Sequence, residues 1–64
     1  MNKKLVQAIY PNARCEVYVT PLNEKIYNIY FERFYFLGCG RTEEESWKTV
    51  WHTIQEIMLE RLEL

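Results

Sequence analysis

Residues 42 to 62 leave the chain little choice but to form one long helix. Thr42 is followed three residues later by Glu45, the pair that reciprocally caps a helix N-terminus, and Glu43 and Glu44 add negative charge where the helix dipole favours it. Behind this cap Trp47, Val50, Trp51, Ile54, Ile57, Met58 and Leu62 recur at spacings of three and four, a wide apolar stripe that Arg61 alone interrupts. Glu43, Glu44, Lys48, His52, Gln55, Glu56, Glu60 and Glu63 fall on or near the opposite side. A helix from Thr42 to Leu62 is about 31 Å long at the usual rise per residue. Its apolar side needs a surface to lie on, and the first 41 residues must supply it.

Two Pro and two Gly, at Pro11, Pro21, Gly38 and Gly40, divide those residues. Asn2 to Tyr10 reads as a two-turn helix with Leu5 and Ile9 one turn apart and Pro11 to stop it. Ala13 to Thr20 alternates, Cys15, Val17 and Val19 on one face and Arg14, Glu16, Tyr18 and Thr20 on the other, the pattern of a half-buried strand. Pro21-Leu22-Asn23-Glu24 has turn chemistry, with Pro setting φ and Asn tolerating the left-handed region. Lys25 to Leu37 is strand-like but longer than the usual 5 or 6 residues. A tight two-residue turn at Glu32-Arg33 divides it into a hairpin in which Phe31 faces Phe34 and Ile29 faces Phe36; the alternative is one long strand bent by a bulge at the same place. In the hairpin, Tyr27, Ile29, Phe31, Phe34 and Phe36 line the core face and Ile26, Asn28, Tyr30, Tyr35 and Leu37 point away. The expected fold is therefore a single α+β domain over residues 1–64, in the order αβββα: a short N-terminal helix, a three-stranded antiparallel meander and a long C-terminal helix on one sheet face.

Composition excludes several classes. With 27% charged and 16% aromatic residues the chain is too apolar for disorder and too charged for a membrane span. Two cysteines make no disulfide scaffold. The opening Met-Asn-Lys-Lys-Leu-Val is interrupted by Gln7, Tyr10, Pro11 and Asn12 before it can form a signal peptide, so a cytoplasmic location is expected. A net charge of −1 argues against a general polyanion binder.

The element order and the string Leu37-Gly38-Cys39-Gly40-Arg41-Thr42-Glu43-Glu44-Glu45-Ser46 resemble the C-terminal half of a double-stranded-RNA-binding domain, over roughly Tyr27 to Leu62. Gly40, Arg41, Thr42, Glu45 and Ser46 occupy the places corresponding to that family's glycine loop and helix cap. The same Gly-x-Thr-x-x-Glu junction is similar to that of small HicB-type antitoxins. The resemblance implies the fold and argues against the RNA-binding family's function. Its phosphate-binding Lys positions are matched here by Glu43, Glu44 and Trp47, which reverses two of the three charges and loses the third. Duplex RNA is therefore not expected as a ligand.

The remaining residues are weighed on their chemistry. Trp47 and Trp51 belong to the core stripe, and Cys15 is a small inward residue of the first strand. Cys39 sits in a glycine turn near a helix N-terminus, a setting that favours thiolate, but no base accompanies it. Cys15, Cys39 and His52 lack both the fourth ligand and the paired spacing of a zinc site, so neither metal nor cofactor is expected. One His, no Asp and no phosphate loop argue against an enzyme. The open sheet face would gather Tyr18, Ile26, Tyr30, Tyr35 and Leu37, an apolar, tyrosine-rich patch of the kind used in interfaces. Leu59 lies off the helix stripe, and Ile57, Leu62 and Leu64 run past the end of strands about 20 Å long, a second candidate surface. These features point to a non-catalytic protein-interaction module: a homodimer, an adaptor or an inhibitor docking on a larger protein. The alternative is a single-stranded nucleic-acid binder that stacks bases on Tyr18, Tyr30 and Tyr35.

Overall fold

The computed structural model describes residues 2–33 and 35–62, arranged as α1 (Asn2–Ile9), β1 (Arg14–Val19), β2 (Lys25–Phe31), β3 (Tyr35–Gly40) and α2 (Glu43–Leu62). The strands form an antiparallel sheet in the order β1-β2-β3, which is the expected αβββα meander. α2 packs on β3 and β2, and α1 packs beside α2. Among the described residues no helix is long and apolar enough to cross a membrane.

Local chemistry explains each junction. α1 ends where Tyr10 N–H donates to the Val6 carbonyl, and a turn closed by Ala13 N–H on the Tyr10 carbonyl places Pro11 at its second position. The β1–β2 hairpin turns through Pro21-Leu22-Asn23. Asn23 N–H donates to the Thr20 carbonyl, and Asn23 itself has φ 64°, the left-handed conformation that a three-residue hairpin loop requires. At the start of α2, Glu45 N–H donates to Thr42 Oγ1 at 3.1 Å, the cap that Thr-x-x-Glu foretells.

The second hairpin corrects the sequence reading. Three residues, 32–34, separate β2 from β3 instead of two. The register pairs Phe31 with Tyr35, Tyr30 with Phe36 and Ile29 with Gly38, so neither Phe31–Phe34 nor Ile29–Phe36 is a pair. Phe34 lies outside the described residues. Leu37 is the extra residue of a bulge between these pairs, and it packs against the core. Glu32 takes φ 59°, an unfavourable conformation for a residue with a Cβ. Arg14 of β1 holds this turn: its guanidinium donates to the Glu32 carbonyl and, at 3.4 Å, to the Arg33 carbonyl. Hydrogen bonds from a charged strand residue thus hold a turn whose own residues do not favour the left-handed conformation.

The core is small and lies between the sheet and the two helices: Val6, Ala13, Ile29, Trp47, Val50 and Ile54, with Tyr10, Cys15, Leu37 and Trp51 packed around it. Gly38 and Gly40, expected in a turn, are strand residues of β3 that face α2. A Cβ on Gly38 would lie 2.9 Å from Val50 Cγ2, and one on Gly40 would lie 2.7 Å from the Ser46 backbone N. The helix can sit this close only because β3 has no side chains there.

Candidate interaction surfaces

The register fixes which side chains share the open sheet face. Arg14 opposes Tyr30, Glu16 opposes Asn28 and Tyr18 opposes Ile26 across β1–β2, while Phe36 opposes Tyr30 and Cys39 opposes Asn28 across β2–β3. Tyr18, Ile26 and Tyr30 are therefore where the alternation put them. Tyr35 and Leu37 are not: the third turn residue inverts the facing of Tyr35 and Phe36, and Leu37 is the extra residue of the bulge that restores the alternation at Gly38. Tyr35 pairs with Phe31 on the helix side, edge-on at 6.4 Å, and Leu37 joins the core. Phe36, expected in the core, instead stands on the open face edge-on to Tyr30 at 5.7 Å, and is half exposed. Strict alternation from a two-residue turn could not reveal it, since a third turn residue inverts the side chains that follow until the bulge at Leu37.

This face carries little free charge. The Arg14 guanidinium lies 5.6 Å from the Tyr30 ring centroid, and its Nε donates to Glu16 Oε2 at 2.8 Å. Nη1 and Nη2 each donate to a turn carbonyl, so Arg14 serves as a clamp across the sheet and its charge is already paired with Glu16.

The first strand holds a further departure. Val17 and Val19 lie on the helix side of the sheet, as the alternation predicts, yet remain 53% and 49% exposed. α2 covers β3 and β2 and stops short of this end of β1. With Tyr18 at 54% exposure, both faces of the outer end of β1 are bare.

α2 itself is sheltered along half its stripe. Trp47, Val50 and Ile54 are buried, while Ile57 and Met58 are 47% and 45% exposed and Leu62 is 81% exposed. A 20-residue helix spans about 30 Å, and the six residues of β3 span about 20 Å, so roughly two turns lie past the sheet. Leu59, on another side of the helix, is also exposed. Leu64, expected in the same overhang, lies outside the described residues.

The acidic helix start has a structural use. Trp47 Nε1 donates to Glu43 Oε2 at 3.0 Å, Lys3 Nζ lies 3.8 Å from the same oxygen, and that ammonium stands 5.8 Å from the centroid of the Trp47 ring. Glu43 therefore joins α1 to the first turn of α2.

The two thiols differ in setting. Cys15 is half-buried beside α2; burial is the main cause raising its thiol above the usual range, Glu43 adds to this, and the polar Ser46 side chain opposes it. Cys39 is exposed on the opposite face of the sheet, with β2 between them, and lines an open cleft of about 540 Å³ with Lys25, Ile26, Arg41 and Glu45. Iodoacetamide at neutral pH should modify Cys39 first and Cys15 only slowly, since the thiolate is the nucleophile. Peptide mass mapping over a time course checks this, and equal rates would mean that Cys15 is open to solvent. Among the described residues no cluster of His, Cys and Glu is arranged to hold a metal ion.

No family model, no curated protein and no solved structure matches this chain.

Proposed function

We propose that this chain is a small, non-catalytic protein-interaction module that works by burying its bare apolar surfaces against a protein, either a second copy of itself or a larger target. The observation that carries the reading is the stripe of α2, sheltered through Ile54 and bare over Ile57, Met58 and Leu62. A helix that continues its apolar side two turns beyond its own sheet adds nothing to its own core, and exposed apolar surface of this kind is a liability unless something covers it. The bare outer end of β1 and the Tyr18, Tyr30 and Phe36 side chains of the open face add to the same balance.

Base stacking on the open face has weaker support, because Arg14 is already bonded to Glu16 and to the turn carbonyls. Duplex RNA has weaker support still: Glu43 and Glu44 stand where cations would be needed, and Glu43 is bonded to Trp47. Size exclusion coupled to light scattering tests the proposal. The native chain is expected to run at the mass of two chains or more. A chain that stays monomeric at millimolar concentration, and that becomes no more soluble on the changes Ile57→Glu and Leu62→Glu, would overturn it.

A further inference from the structure

Resting on that reading, we propose that two copies of this chain join edge to edge through β1, antiparallel, about a two-fold axis at Val17, making one continuous six-stranded sheet. The two free edges of the sheet are unlike. β3 is interrupted by the bulge at Leu37 and has Gly38 and Gly40 in its second half, features that blunt an edge. β1 pairs with β2 without irregularity from Arg14 to Val19, contains no Pro, Gly or Lys, and exposes Val17, Tyr18 and Val19 in succession. Three neighbouring strand-forming residues, bare on both faces along a regular edge, form a template for another strand.

The hydrogen-bond alternation settles which groups the edge offers. Thr20 N–H donates to the Glu24 carbonyl, so in an antiparallel ladder Thr20, Tyr18, Glu16 and Arg14 turn their N–H and C=O toward β2. Cys15, Val17 and Val19 turn theirs outward, and these are the residues whose side chains lie on the helix side.

A second copy of β1 fits this edge in one register better than in its neighbours. If helix faces are to stay on one side of the joint sheet, the axis must fall on a residue. An axis at Glu16 places that carboxylate opposite its own copy, a like-charge pair. An axis at Tyr18 places Cys15 opposite Pro21, which has no N–H to give. An axis at Val17 pairs Val17 with Val17 and Cys15 with Val19 twice over, all with outward-turned backbone groups, for about six new hydrogen bonds. On the helix side every opposed pair is apolar. On the open side Glu16 opposes Tyr18 and Arg14 opposes Thr20, with no like charges facing one another. The edge thus complements its own copy, which is why a second copy is the occupant assigned to it. An interface of one strand pair falls at the small end of specific interfaces, so the dimer is expected to depend on concentration.

Directly opposed, hydrogen-bonded residues of an antiparallel pair have Cα atoms about 5.5 Å apart, within the range a disulfide spans. In a chain carrying Cys15→Ser and Cys39→Ser, the further change Val17→Cys should yield a disulfide-linked dimer under mild oxidation at micromolar protein. Val19→Cys in the same background should not, because position 19 faces position 15 of the other copy. Val17→Lys should shift the native mass from dimer to monomer in light scattering while leaving the melting temperature of the dilute chain nearly unchanged, since Val17 is outside the core. A dimeric native chain whose Val17→Cys form does not cross-link, or cross-links no better than Val19→Cys, overturns the edge pairing and leaves the interaction reading standing. A native chain that is monomeric at high concentration overturns the edge pairing, and it overturns the interaction reading as well only if Ile57→Glu and Leu62→Glu leave its solubility unchanged.

Discussion

Trp47→Ala should leave this chain largely unfolded at room temperature. Trp47 is 2% exposed and belongs to the one buried cluster that also holds Val6 of α1, Ile29 of β2, and Val50 and Ile54 of α2. Truncating a buried Trp costs about 3 to 5 kcal/mol through lost transfer energy and the cavity left behind. Native domains are stable by only about 5 to 15 kcal/mol, and one of this size belongs at the bottom of that range. The substitution also removes the donor to Glu43 and the ring beside Lys3, so the α1–α2 contact loosens together with the core. Trp51→Ala should cost clearly less, because Trp51 is only partly buried at the margin of the cluster. Far-UV circular dichroism with urea titration compares the two, and a Trp47→Ala chain that melts like its parent would mean that the core lies elsewhere.

That the two tryptophans differ could not be read from their spacing. One turn apart on one stripe, they look alike in the sequence; what separates them is that Trp47 belongs to the buried cluster where α1 meets α2, while Trp51 lies at its margin. The helix, its Thr42 cap, the strand at Arg14–Val19 and the Asn23 turn were all legible because each rests on local chemistry. The second hairpin was legible as a hairpin and misread in register. Its turn takes Glu32 into a conformation the residue does not favour, under the hold of Arg14, which lies 18 positions away in the sequence. The candidate surfaces followed the same division. The facing of Tyr18, Ile26 and Tyr30 follows from alternation, the exposure of Leu59 from its place off the helix stripe, and that of Leu62 from the length of α2. Tyr35 and Phe36 were misplaced by the third residue of the turn and Leu37 by the bulge, and the exposure of Val17 and Val19 depends on where α2 ends its cover, which nothing local to β1 encodes.

Gly40→Ala should destabilise the fold toward the upper end of the roughly 1 to 3 kcal/mol that overpacking costs. The added carbon would lie 2.7 Å from the Ser46 backbone N and 3.0 Å from both the Glu45 backbone C and Ser46 Cα, against ordinary carbon contacts of about 3.5 to 4.0 Å. All three atoms belong to the backbone of the first turn of α2, so no rotamer change relieves the contact and the helix end must lift. Lifting it disturbs Ser46, fully buried with its hydroxyl donating to the Glu43 carbonyl at 2.6 Å, and Trp47 next to it. Gly38→Ala is the informative contrast. There the obstacle is a side-chain methyl, Val50 Cγ2 at 2.9 Å, and Val50→Ala removes it. Each single change should destabilise, the first by crowding and the second by opening a cavity, while the double mutant should recover much of the loss, because the methyl added on β3 occupies space vacated on α2. Combining Gly40→Ala with Val50→Ala should show no such recovery, since the clash at Gly40 is with main chain. Urea midpoints for the two cycles measure the coupling directly. Equal coupling in both would mean that α2 shifts as a rigid rod over β3, and that the close approach at Gly40 is not what sets its position.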